Sequence, residues 1–347
     1  MMRSSFDFDR PPELEAKSPP EHRGLRRDGV RLLTTGDLGS ESGHFADLPG
    51  LLRSGDVLVV NESATLPASL PAHSGAGAFL LNLSTFYGDG VWLAEPRWAV
   101  GRPGPVPFAP GDEVRAGAVR FRPITPYPGI PRLWFFRAAG DVGDAMARIG
   151  QPIRYGYVDT AYGLDAYQTV FSRVPGSAEM PSAARPFTPE LVERLGRRGV
   201  QIARVVLHAG VSSLESEPDR PEIPPVYPEP FEVPASTAEA VTRARAEGHR
   251  VIAVGTTALR ALETAWTDVG IVAARGFTQL TLGPGRDVRS ADGLLTGLHD
   301  PRTSHLALLF AFAGEARVRA AYAEAIRDAY LWHEFGDSHL VWRPGAG

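Results

Sequence analysis

The chain has 347 residues, a formal net charge of −4 and no cysteine. Disulfides, thiolate metal sites and cysteine nucleophiles are therefore excluded, and the charge argues against strong nonspecific nucleic-acid binding, which needs clustered cations. The length predicts two domains, and the 43% hydrophobic and 22% charged content is ordinary for a globular chain with a core of its own.

Met1 to Arg10 is polar, carries Asp7 and Asp9, and lacks the apolar centre of a signal peptide. No run approaches the ~18 apolar residues of a membrane span. The expectation is a cytoplasmic protein with no membrane partner. Val57 to Val60, bounded by Gly55-Asp56, reads as a buried strand. After Leu66 the texture changes to short apolar runs, at 78–83, 90–94, 113–121 and 131–137, separated by Gly/Pro turns. That spacing predicts a small antiparallel barrel. Arg97 to Arg137 holds seven arginines (97, 102, 115, 120, 122, 132, 137) against Asp112 and Glu113, a local excess of +5. This is either a phosphate-facing surface or a solvated barrel face.

Residues 151–157 read as loop. Thr188 is placed to cap a helix beginning at Pro189, which Gly199 ends. Gln201 to His208 is a buried strand. Ser236, with Glu239 three residues on, predicts a capping box for a helix reaching Glu247. Arg250 to Val254 is a strand, Thr257 to Ala265 a helix, and Phe312 to Tyr330 one long amphipathic helix. Alternation of strand and helix predicts an α/β fold. The architecture expected is a discontinuous α/β domain (1–66 and 149–347) with a small antiparallel β-barrel domain (67–148) inserted into it.

Four groups of residues could carry chemistry. In Arg250-Val-Ile-Ala-Val-Gly-Thr-Thr-Ala-Leu-Arg260 a strand meets Gly255, Thr256 and Thr257 and then a helix. Free N–H groups and hydroxyls there make an anion cradle to which Arg260 can add a bidentate contact; the alternative is a plain helix cap with Arg260 on a surface acid. His208 and His299 stand where strands give way to Gly or Pro, fit for acid–base work, or else satisfy loop carbonyls. His44, His73, His249 and His339 carry no such context. Glu229, in Tyr227-Pro-Glu229, could hold a ribose diol or act as a base; otherwise it is a surface acid. Asp337, in Glu334-Phe-Gly-Asp337, could close a site; otherwise it belongs to a turn. There is no Walker-type loop, no Gly-x-Gly-x-x-Gly opening a helix, no His-Glu-x-x-His, and nothing that suggests a metal.

In their order these pieces resemble the S-adenosylmethionine:tRNA ribosyltransferase-isomerase family of the queuosine pathway. The series runs through Phe6-Asp-Phe-Asp-Arg-Pro-Pro, Gly55-Asp-Val-Leu-Val-Val-Asn61, Leu207-His-Ala-Gly210, Ala253-Val-Gly-Thr-Thr-Ala-Leu-Arg260, Asp292-Gly-Leu-Leu-Thr296, Ala311-Phe-Ala-Gly314 and Gly336-Asp337, nearly the whole chain. The resemblance implies an α/β domain with an inserted barrel. It also implies transfer and isomerisation of the ribosyl part of S-adenosylmethionine, a substrate and not a resident cofactor, onto the aminomethyl group of a 7-deazaguanine in tRNA, releasing adenine and methionine. By the same resemblance His208, Glu229 and His299 are the catalytic candidates. Gly255, Thr256, Thr257, Arg260, Asn61 and Asp337 are the substrate-binding ones, with no metal.

The sequence also departs from the family pattern. Asp-Thr-Arg-Val becomes Glu62-Ser-Ala-Thr65 and Pro-Ala-Arg-Leu becomes Pro67-Ala-Ser-Leu70, so two arginines are gone. Pro186 stands where the pattern has histidine, and Gly297 where it has asparagine. Gly-Leu-Gly-Thr-Phe becomes Gly210-Val-Ser-Ser-Leu214, and His-Ser-Glu becomes Tyr227-Pro-Glu229. These losses predict weak tRNA binding with a shallow salt slope, and leave two other readings open: a paralogue using S-adenosylmethionine or a related nucleoside with a small-molecule acceptor, and a noncatalytic binding protein on the same scaffold. The sequence does not set the oligomeric state.

Overall fold

The computed structural model describes residues 7–98, 104–109, 111–158, 160–211 and 227–346. Arg102 and the 212–214 part of the Gly210 to Leu214 segment lie outside them. Strands β1 (Arg31–Gly36), β2 (Gly39–His44) and β3 (Val57–Asn61) are followed by the short β4 (Ser63–Thr65). Then come β5 (Ser69–Ser74), β6 (Gly77–Phe86), β7 (Val91–Arg97), β8 (Val114–Ala116), β9 (Val119–Tyr127) and β10 (Ile130–Ala139). The later strands are β11 (Val174–Ser177), β12 (Gln201–Leu207), β13 (Glu229–Val233), β14 (Val251–Val254), β15 (Trp266–Thr267), β16 (Gly270–Ile271), β17 (Ala274–Thr278), β18 (Gly293–Gly297) and β19 (Ser338–Trp342). Helices are α1 (Leu48–Leu51), α2 (Val142–Ile149), α3 (Pro189–Arg197), α4 (Ala235–Ala246), α5 (Thr256–Thr264), α6 (Ser304–Ala313) and α7 (Glu315–Arg327).

Nine strands form one mixed sheet in the order β17-β13-β12-β3-β14-β18-β19-β1-β2. Its centre, β12, β3, β14 and β18, is parallel. Every residue of β3 is buried, as an unbroken apolar run flanked by turn residues requires. Val57 and Val59 pack on one face with Val241, Leu259 and Leu262 from α4 and α5; Leu58 and Val60 pack on the other with Leu191 and Leu195 from α3. β5 to β10 close into an antiparallel barrel around Leu70, Leu81, Leu83, Phe121 and Phe136. The α/β class with an antiparallel barrel, expected from the sequence, is what the chain adopts.

Local differences have local causes. Residues 142–149, all but the last of which fall in the expected barrel stretch, form α2, capped by Asp141 and laid on the barrel core through Ala145 and Met146. The apolar run over 113–121 holds β8 and the start of β9, because Gly117 turns between them with φ 58. Ser236 does not cap α4: the helix starts at Ala235 after Pro234, and Thr237 Oγ1 ties that turn to the backbone of Arg204. The long helix over 312–330 is two, broken at Gly314, whose φ of 87 a side chain would resist. α6 gives no helical period because it is apolar all round and buried, and only its cap, Thr303 to Leu306 N–H, marks its start. No described helix is long and apolar enough to cross a membrane.

Candidate functional site

The carboxyl ends of the parallel strands point to one edge of the sheet, the usual mouth of an α/β site. β14 ends there at Gly255, whose φ of 90 turns the chain straight into α5. No side chain caps that helix, so the N–H groups of its first turn face outward. β18 brings Thr296 to the same edge. Antiparallel β13 starts there with Glu229. Together they line a recess of about 60 Å³ that includes Gly255, Thr256, Thr257, Arg260, Glu229 and His299. It opens beside a cleft of about 500 Å³, shared through Tyr155, His299, His305 and His333, which is large enough for a nucleoside-sized ligand.

Arg260 lies one turn into α5. Its Nη1 donates to Glu229 Oε2 at 2.5 Å and its Nε to the Leu280 carbonyl at 2.9 Å. Glu229, 2% exposed, also accepts from the Gly210 N–H at 2.8 Å. Glu229 is therefore no surface acid but the buried counter-ion of Arg260. Arg260 Nη2 is buried with no partner among the described residues, and so is His299 Nδ1. His299 Nε2 shares a 2.7 Å hydrogen bond with Thr296 Oγ1, and the His299 N–H donates to the Tyr322 hydroxyl at 3.0 Å. Burial, with His305, His333 and His339 around it, holds the His299 ring well below its ordinary pKa, so it is neutral. A buried polar atom left open on a cavity wall is a place for a ligand atom.

The recess has further members: Tyr155, Glu179, His305 and His333, which sequence reasoning passed over, and Glu334, from the Glu334-Phe-Gly-Asp337 segment. Tyr155 donates to Glu179 Oε2 at 2.8 Å. Burial and the charge of Glu179 raise the Glu334 carboxyl well above the usual range. His333 and Glu334 have φ of 23 and 38, left-handed backbone of the kind found at functional sites. Of the Glu334-Phe-Gly-Asp337 segment, Glu334 lines this recess and Asp337 does not. Tyr155 and His305 were not singled out: Tyr155 falls in the stretch read as loop, and His305 in the first turn of α6, a helix the sequence pattern did not reveal.

Three expected binding or catalytic residues stand away from the recess lining. His208 turns to the β4–β11 junction, where its Nδ1 meets Ser63 Oγ at 2.7 Å and Ser63 meets Ser177 at 2.6 Å. Burial lowers its pKa. Asn61 is fully buried one layer behind Thr257: it donates to Thr257 Oγ1 at 3.1 Å and to the Leu207 carbonyl, and accepts from the N–H groups of Ser63 and Leu207. Its amide is used up inside the protein. Asp337 accepts from the N–H groups of Arg31 and Leu331, both at 2.8 Å, and so closes the 331–337 turn. His339, set aside at the sequence level, is buried on β19 with Nε2 at 2.9 Å from Thr35 Oγ1. Among the described residues no group of three or more His, Asp or Glu is arranged to hold a metal ion.

The family model described as "Queuosine biosynthesis protein" matches residues 3–341. The S-adenosylmethionine:tRNA ribosyltransferase-isomerase of Thermus thermophilus is 35% identical over 348 residues, covering 97% of this chain and 98% of that protein. The protein of that name from Anaeromyxobacter sp. is 35% identical over 361 residues, covering 99% and 100%. The crystal structure of S-adenosylmethionine tRNA ribosyltransferase from Thermotoga maritima is 28% identical and superposes with a TM-score of 0.55, covering 97% of this chain and 100% of that one. With a full-length family match and relatives of this identity, the chain belongs to the queuosine biosynthesis protein family, whose members here are S-adenosylmethionine:tRNA ribosyltransferase-isomerases.

Proposed function

We propose that the chain transfers and isomerises the ribosyl part of S-adenosylmethionine onto the aminomethyl group of a 7-deazaguanine in tRNA. One observation carries the reading. An uncapped helix N-terminus, an arginine with an uncommitted donor and a neutral histidine with an uncommitted ring nitrogen meet in one recess at the ends of four parallel strands. The α5 N-terminus and Arg260 Nη2 suit the methionine carboxylate. The substrate's sulfonium acidifies the adjacent ribose C5′ protons, so a neutral imidazole is a sufficient base. With Nε2 turned to Thr296, His299 Nδ1 is that base. Glu229 fixes the guanidinium. His208, Asn61 and Asp337 act through the residues they hold. The acidity comes from the substrate, so the scheme calls on no metal. In this reading residues 67–148 are the inserted barrel unit, 1–66 and 149–347 the sheet unit, and a tRNA substrate implies the cytoplasm.

A second reading keeps S-adenosylmethionine and replaces tRNA by a small amine. It is favoured by Ala64 and Ser69, where the family pattern has arginines: Ala64 lies on β4 and Ser69 is buried, with its N–H on the Gln151 carbonyl. Incubation with S-adenosylmethionine, with and without tRNA carrying the aminomethyl-deazaguanine, distinguishes the two. Adenine and methionine released only with that tRNA support the first reading. Release with a small amine alone supports the second. No release under any condition overturns both.

A further inference from the structure

We propose that Glu334, backed by Glu179, receives the ammonium group of the ligand's amino-acid end, which makes the inner recess a subsite for a zwitterion. The proposal rests on the reading above that the ligand is an amino-acid-bearing nucleoside. The recess is too small for the nucleoside and suited to a head group, while the adjoining cleft is not. One side of it carries donors: the start of α5 and Arg260 Nη2. Glu334, 8% exposed, presents Oε2 with no partner among the described residues, and Glu179, 6% exposed, lines the same space.

A buried carboxyl oxygen without a partner is costly and needs a reason. Arg185 partly offsets the Glu334 charge, yet its Nε is committed to the Ala166 carbonyl and its Nη2 to Glu21. Repulsion between the two carboxyls and their shared burial disfavour a second negative charge, and a bound cation relieves both. The residue is also held firmly. Asp337 pins both ends of its turn, and Gly336 packs so closely on the Leu331 and Trp332 carbonyls that a Cβ would sit 2.4 and 2.6 Å from them. His299 Nδ1, buried and open on the same wall, independently marks the recess as a ligand site.

The test is calorimetric titration of the full chain with S-adenosylmethionine and with its deaminated analogue, which keeps the carboxylate and sulfonium. Wild type is expected to lose about 30-fold in affinity on losing the ammonium, the scale of a hydrogen bond to a charged group. Glu334→Gln, nearly isosteric, is expected to bind S-adenosylmethionine about 30-fold more weakly and to distinguish the two ligands by less than about 3-fold. Glu179→Gln should lower the discrimination several-fold, which keeps the test independent of how the first variant folds. Wild type binding both ligands equally, or Glu334→Gln keeping full discrimination, overturns this assignment alone. Wild type binding neither overturns the functional reading with it.

Discussion

Arg260, which lines the recess, gives one guanidinium arm to Glu229 at 2.5 Å and leaves another, Nη2, buried with no partner among the described residues. The pair therefore has a structural half and an open half, and substitution can separate them. Arg260→Lys keeps a cation beside Glu229 but loses the fork. It should weaken S-adenosylmethionine binding about 10-fold while the melting temperature moves little. Arg260→Ala strands a 2%-exposed carboxylate and should lower unfolding free energy by about 3–5 kcal/mol, read by denaturant titration. Unchanged affinity in Arg260→Lys would remove Arg260 from the binding site.

The two histidines favoured by the sequence should part company. His299 faces the recess with Nδ1 open, whereas His208 is turned to Ser63. His299→Ala should lower kcat by at least about 100-fold with KM within a few-fold, as loss of a proton-transfer group does. His208→Ala should lower stability and leave kcat within about 5-fold, since its loss opens a junction and removes no reacting group. Steady-state kinetics on both variants decides. Equal loss of turnover in both would refute the assignment of the base.

The fold class was readable because its signals are local. The Gly55-Asp56 boundary before β3, the Gly/Pro rhythm of the barrel and the Gly255-Thr-Thr turn each report their own segment. The site was readable only where a residue adjoined such a signal, as Thr257, Arg260, Glu229 and His299 do. Tyr155, Glu179 and His305 reach the recess through packing of distant segments, which periodicity does not record. Asn61 was drawn into the site by its place at a strand end, but the strand end it serves is the layer behind Thr257. Glu334 and not Asp337 lines the recess because the turn that joins them sends one side chain toward the cavity and the other back onto backbone N–H groups.

Acid should destabilise the protein through its neutral histidines. Burial pushes His339 from the ordinary 6.5 down to about 4. A folded pKa below the unfolded one means that stability is fully present above pH 6.5 and is lost as pH falls toward 4. The shift corresponds to a loss of up to about 3 kcal/mol across that window. His299 and His305 are shifted in the same direction and add to it. Urea titrations at pH 7.5, 6, 5 and 4.5 should show the decline, and His339→Gln should flatten it. A pH-independent midpoint would contradict the burial of these rings.

Binding of tRNA should be weak and should depend only shallowly on salt. The arginine-rich stretch from Arg97 to Arg137 looks cationic in sequence, but much of its charge is spent within the barrel. Arg97 and Arg132 both pair with Glu95, at 2.7 and 2.5 Å, and Arg115 pairs with Glu113 at 2.9 Å. Arg137 is tied to the Asp89 carbonyl at 3.1 Å, and Arg120 and Arg122 remain exposed on β9. Each phosphate neutralised contributes a slope of about −0.7 to −0.9 to log K against log salt, so two such contacts predict a slope of about −1.5. Fluorescence anisotropy of labelled tRNA over a salt series measures it directly, and Arg120→Ala with Arg122→Ala should bring the slope close to zero. A steep slope that survives the double substitution would mean that another face, away from the barrel, meets the nucleic acid. Tight and tRNA-specific binding at physiological salt would show that the chain does without the arginines missing at Ala64 and Ser69, and would remove the case for a small-molecule acceptor.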